Sequence, residues 1–105
     1  QDRARAFRAR TRRREFPPEA SYYLGEAYRL RGDKGDVELA EREYRIAIEG
    51  APGFAPSYRA LGLAQYRRGE RGEAAIPLRR YLELAPTAAD RGYVESLLMD
   101  QEKAK

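Results

Sequence analysis

Ser21-Tyr22-Tyr23-Leu24-Gly25-Glu26-Ala27-Tyr28 is followed, 37 residues on, by Tyr58-Arg59-Ala60-Leu61-Gly62-Leu63-Ala64-Gln65, with Leu-Gly at the same place in both stretches. Further along, Ala40, Tyr44, Ala47 and Pro52 recur after 34 residues as Ala74, Leu78, Tyr81 and Pro86. The two spacings differ by three, so the first unit carries three extra residues, and Asp33-Lys34-Gly35 beside Gly32 is the turn that can take them. A period of this size marks one supersecondary unit repeated along the chain. Gly25 and Gly62 lie inside apolar-periodic stretches, where Gly costs about 1 kcal/mol relative to Ala unless helices approach closely. The units therefore read as tightly packed helix pairs.

Punctuation places the helices. Pro18 and Pro56 fall where a first turn begins, a position that tolerates a missing N–H, and Gly32, Gly50 and Gly69 mark ends. The pattern predicts helices near 18–31, 36–50, 55–68 and 71–84. Thr87-Ala88-Ala89-Asp90 reads as a capping box opening a fifth helix, with Tyr93, Val94, Leu97 and Leu98 as its apolar stripe. Pro77 conflicts with the fourth helix. Either it kinks that helix near its start, or the helix begins late, close to Ala75, and Pro77 is a first-turn residue.

On Leu24, Gly25, Tyr28, Ala40, Tyr44, Ala47 and Pro52, and on Tyr58, Leu61, Gly62, Ala74 and Pro86, the chain resembles the tetratricopeptide repeat over roughly residues 18 to 100. Four places depart from that pattern: Ser21 for the leading aromatic, Gln65 for Tyr, Leu78 for an aromatic, and Tyr81 for a small residue where neighbouring helices pack closely. The last predicts a wider crossing. The resemblance implies an all-α fold of antiparallel helix-turn-helix repeats, stacked as a short right-handed superhelix with a C-terminal capping helix. The organisation expected is an Arg-rich arm or upstream remnant at 1–16, one unit with an expanded turn at 17–53, a second at 54–87, and a capping helix with polar tail at 88–105.

Composition narrows the chemistry. There is no Cys and no His, which excludes disulfides, thiolate chemistry, imidazole triads and zinc sites of the usual ligand types. With no nucleophile elbow, Walker-type loop or metal-ligand cluster, no catalysis, cofactor or metal is expected. No apolar run approaches the roughly 20 residues that cross a bilayer. A charged fraction of 36% and mean hydropathy of -0.85 fit a thin layered structure with many exposed helix faces. The 18 Arg against three Lys point to a GC-rich, bacterial source, with cytoplasm and periplasm both compatible; a chain starting at Gln1 is expected to be processed or part of something longer.

Residues 1–16 hold seven Arg against Asp2 and Glu15, leaving 14 basic and 15 acidic residues in the nearly neutral body. The arm could bind nucleic acid or an anionic surface. Alternatively, Ala4, Phe7 and Ala9 belong to the end of a preceding unit's second helix, with the Arg side chains outward. The resemblance places the partner-binding groove on the first helix of each unit, at Tyr22, Glu26 and Arg29, and 37 residues on at Arg59, Leu63 and Tyr66, flanked by Arg67. Aromatic area and Arg forks suit an extended peptide or helix with acidic and apolar groups. Relatives that grip a C-terminal carboxylate use Lys and Asn at places held here by Tyr22, Glu26, Arg59 and Leu63, so that mode is not expected. A third reading is packing on other domains of the parent protein, or on a second copy, through the end of the stack.

Overall fold

A computed structural model describes residues 16–103, so both readings of the Arg-rich arm lie outside the described residues but for Phe16. Among the described residues there are five helices and no strand: α1 Glu19–Arg31, α2 Asp36–Gly50, α3 Ala55–Arg67, α4 Arg71–Leu84 and α5 Arg91–Lys103. Each packs chiefly on its neighbour in sequence, α1 on α2 and α3 on α4, with α2 against α3 and α4 against α5 joining the pairs. The result is an all-α stack of helix pairs. No described helix is long and apolar enough to cross a membrane.

The turns show why the helices stop where they do. Gly69, at φ +87°, sits in the left-handed region and sends its N–H to the Tyr66 carbonyl, while the Glu70 N–H reaches the Gln65 carbonyl. This paired closure satisfies carbonyls that the end of α3 would otherwise leave open. Gly32, at φ +66°, ends α1 in the same conformation with its N–H on the Tyr28 carbonyl. Gly50 ends α2 for a different reason. A Cβ there would lie 2.6 Å from Pro18 Cβ, so the residue is small to let the start of α1 approach.

The three extra residues after Gly32 are held by Asp36, whose side chain is 1% exposed. Its carboxylate accepts from Arg31 Nε at 2.8 Å, from Arg31 Nη2 at 2.7 Å and from the Asp33 N–H at 2.9 Å. The Arg31 fork and that amide hold the Asp36 carboxyl below the usual carboxylate range against the opposing effect of burial. The enlarged turn is thus a clamped loop.

Two apolar clusters run through the stack. The first joins Ala40, Tyr44, Ala60 and Leu61, with Tyr22, Tyr28 and Ile48 packed on it; the second joins Leu63, Ala74, Leu78, Tyr81, Val94 and Leu97, with Tyr58 and Tyr66 packed on it. Gly25 and Gly62 make the hairpins close. A Cβ at Gly25 would stand 2.5 Å from Tyr44 Cε1, and one at Gly62 would stand 2.5 Å from Leu78 Cδ2. The joints differ, however: α1 and α3 bring their backbones within 8 Å, whereas α3 and α5 meet only through side chains.

Pro77 is inside α4, which begins at Arg71 and not near Ala75. It is buried, and at the next residue an added Cβ on Gly62 would come within 3.3 Å of the Leu78 amide nitrogen. In α5, Val94 and Leu97 are buried and Leu98 is half-buried, but Tyr93 is 53% exposed and stands outside the stripe expected of it.

Candidate functional site

The candidate face is carried by α1 and α3, the first helix of each pair. On α1, Glu26 accepts from Tyr44 Oη at 2.6 Å and from Arg29 Nε and Nη2, both at 3.0 Å. Hydrogen bonds from Arg29 and Tyr44 outweigh partial burial and lower the Glu26 pKa. Burial, then hydrogen bonding to Glu26, raises that of the Tyr44 hydroxyl, so it stays protonated and donates.

On α3, Arg59 Nε donates to Asp90 Oδ2, and Tyr81 Oη donates to Asp90 Oδ1, each at 2.5 Å. Asp90 occupies the cap position of α5, since its carbonyl accepts from the Val94 N–H. Its side chain does not serve that cap. It ties the entry of α5 to α4 and α3 instead. The Tyr81 and Arg59 hydrogen bonds hold the Asp90 carboxyl below the usual range.

Tyr22 lies beside these two ion pairs. Its ring meets Tyr23 at 5.0 Å, Phe54 at 5.5 Å and Tyr44 at 6.1 Å, centroid to centroid. Partial burial is the main cause of its raised pKa, followed by the charge of Glu26, with Arg59 and Arg29 opposing. Its hydroxyl makes no hydrogen bond among the described residues.

The structure therefore brings Tyr22, Glu26, Arg29 and Arg59 together and separates the remaining three. Leu63, 6% exposed, lies in the cluster with Val94 and Leu97 and offers little surface. Tyr66 packs on the same cluster, donates weakly to Asp100 at 3.4 Å and carries Arg71 over its ring. Arg67 is exposed and forms no ion pair with a described residue. The cause of this division is α5, which covers the far part of the α3 row.

Reading the sequence alone misses Asp90, Phe54 and Tyr93. In sequence Asp90 reads as the acidic member of a capping box opened by Thr87, but α5 begins only at Arg91, and the Tyr81 hydroxyl, placed where the resemblance has a small residue, signals the need for a polar partner. Tyr93 stands 34 residues after Arg59 and so continues the row by the repeat's own spacing.

Chemically, this face sets two carboxylate-bound guanidinium groups around a phenol. Each Arg is pinned along one side by a carboxylate while 42% of its side chain stays exposed. Such fixed forks lose little freedom on binding. Two cations and two carboxylates cancel, so the face is near neutral apart from Arg67. Comparison with protein-family models and with curated proteins found no match to this chain.

Proposed function

We propose that the chain is a protein-interaction module of the tetratricopeptide type, holding an extended segment of a partner protein across α1 and α3. The observation that carries this reading is the pair of pinned arginines, Arg29 on Glu26 and Arg59 on Asp90, around the unpartnered Tyr22 hydroxyl. Aromatic and Arg side chains are the types that dominate interface energetics. Because the ion pairs neutralise each other, the segment this face suits supplies backbone carbonyls, a carboxylate and an apolar side chain rather than a run of acids. Catalysis has no part in the reading, which rests on a chain without Cys or His.

The test is a peptide selected from a display library and mapped by amide chemical shifts on the full chain. Perturbations concentrated on residues 22–29, 59–67 and 93 support the assignment. Perturbations confined to the surface of α4 around Ile76 and Arg80 refute it.

A further inference from the structure

The face carried by α1 and α3 continues onto α5. At the repeat spacing, Tyr22, Arg59 and Tyr93 form one row across the three helices, and Arg29, Tyr66 and Asp100 form another. Between them run Glu26, Leu63 and Leu97, and both leucines are buried. The middle row is therefore the floor of a trough, and the outer rows are its walls. Arg59 reaches Asp90 and Tyr66 reaches Asp100, so α5 stays in touch with both walls of α3.

The dimensions of this trough select a conformation. Tyr22 and Arg29 are seven residues apart on α1, about 10.5 Å along its axis, and their side chains fill part of that width. An α-helix with its side chains is about 10–12 Å across, so the trough admits a single extended chain and no helix. Packed helices lie about 8–10 Å apart, and each wall repeats at that interval. A β-strand turns the same side to a wall every two residues, about 6.6–6.8 Å, and falls out of step. A polyproline II segment, at three residues per turn, returns the same side after about 9.3 Å. Its carbonyls have no internal partners, which leaves them free to accept from the Tyr22 hydroxyl.

Charge sets the ends. Arg29 stands on one wall at α1, and Asp100 stands two helices away on the same wall, exposed and without an ion pair to a described residue. Tyr66 lies between them, and Tyr22 and Tyr93 lie opposite, as flat apolar surfaces suited to prolyl rings. Two helices correspond to two turns, or six residues, of the ligand.

We infer that, given the groove proposed above, the trough selects a proline-rich segment in the polyproline II conformation, with a carboxylate against Arg29 and a cation six residues along against Asp100.

The test uses capped peptides titrated into the full chain, read by amide chemical shifts. Glu-Pro-Pro-Pro-Pro-Pro-Lys is expected to bind about tenfold more tightly than the same peptide with alanine for proline, because the prolines remove ordering cost. It also binds more tightly than Glu-Pro-Pro-Pro-Lys, whose charges are out of register. Asp100→Lys, at an exposed position, weakens the first peptide about fivefold and reverses the preference toward Glu-Pro-Pro-Pro-Pro-Pro-Glu. Equal affinities for the proline and alanine peptides, or for the two spacings, overturn the inference, as does an unchanged preference in Asp100→Lys. A library-selected peptide that maps to the groove without proline sinks the inference alone and leaves the groove standing. Shifts confined to α4 around Ile76 defeat both.

Discussion

Where α1 crosses α2, Gly25 faces the ring of Tyr44, whose hydroxyl donates to Glu26; where α3 crosses α4, the same three places hold Gly62, Leu78 and Leu63. A polar pair in one hairpin is replaced as a set by an apolar pair in the other. One turn further on, the order reverses, with Ala47 in α2 and Tyr81 in α4. The phenol has moved by one turn, and its hydroxyl with it. In the first unit it locks a hairpin to itself and leaves a small residue at the following joint. In the second it reaches forward to Asp90, so the next joint is wider and closed by a polar clasp. The position of one hydroxyl decides whether a tyrosine ties a unit internally or to its neighbour.

The largest way to break this comparison is to copy one hairpin into the other by halves. Tyr44→Leu alone costs about 3 kcal/mol, because it opens space and leaves Glu26 without its Tyr donor. Combining it with Glu26→Leu, which reproduces the pair found at 78 and 63, recovers about 1 kcal/mol relative to the sum of the single losses, read by denaturant unfolding. Strict additivity means that the two positions are not a set.

Next in size are the glycines. A Cβ at Gly25 would meet a ring carbon at 2.5 Å and the Ala40 carbonyl oxygen at 3.1 Å, both held in place. At Gly62 the nearest atoms, Leu78 Cδ2 at 2.5 Å and Cγ at 2.6 Å, belong to an aliphatic side chain with two rotatable torsions and no hydrogen bond to hold it. Overpacking exceeds the helix-propensity gain of about 1 kcal/mol at Gly25, leaving Gly25→Ala about 2 kcal/mol less stable, with roughly half that loss for Gly62→Ala. In thermal melts the first falls by about 8 °C or more. Equal losses at the two sites would show that both crossings are alike.

The clasp comes third. Asp90→Asn keeps an acceptor for Tyr81 but removes the charge facing Arg59, and its partial exposure limits the loss to about 1 kcal/mol. Hydrogen exchange should locate that loss in α5 and leave α2 unaffected; uniform loss in all helices would remove the clasp as a local device. The pH dependence follows from the same groups. Glu26, Asp36 and Asp90 all have lowered pKa values, so their contribution is complete above the unfolded carboxylate value of about 4 and is lost as pH falls through their folded values. With no His, thermal melts should be flat from about pH 5 to 8 and fall below about pH 4. The smallest effect is in Asp90→Asn, whose acid loss is shallower than that of the natural chain.

The helices were legible because Gly32, Gly69, Pro18 and Pro56 act locally, through backbone conformation and missing donors, and because the 34- and 37-residue spacings hold. Gly50 stands at the expected helix end but for a different reason, since the close approach of Pro18 is a tertiary fact. The groove was less legible. Helical spacing places Glu26 and Arg29 on one face, but what covers Leu63 and Tyr66 depends on where α5 comes to rest. Spacing within α3 carries no information about that. Asp90 escaped because an acidic residue at a helix start has a sufficient local explanation, and the tie to Tyr81 and Arg59 is visible only in three dimensions.

The functional account is tested most directly by titrating the library-selected peptide into the natural chain and into Tyr22→Ala and Ile76→Ala variants. Tyr22 belongs to the proposed face, whereas Ile76 is a large exposed residue of α4, outside that face. The account predicts that Tyr22→Ala raises Kd about tenfold or more while its circular dichroism stays helical, and that Ile76→Ala leaves Kd unchanged. An unchanged Kd in Tyr22→Ala, or an equal loss in Ile76→Ala, would contradict it.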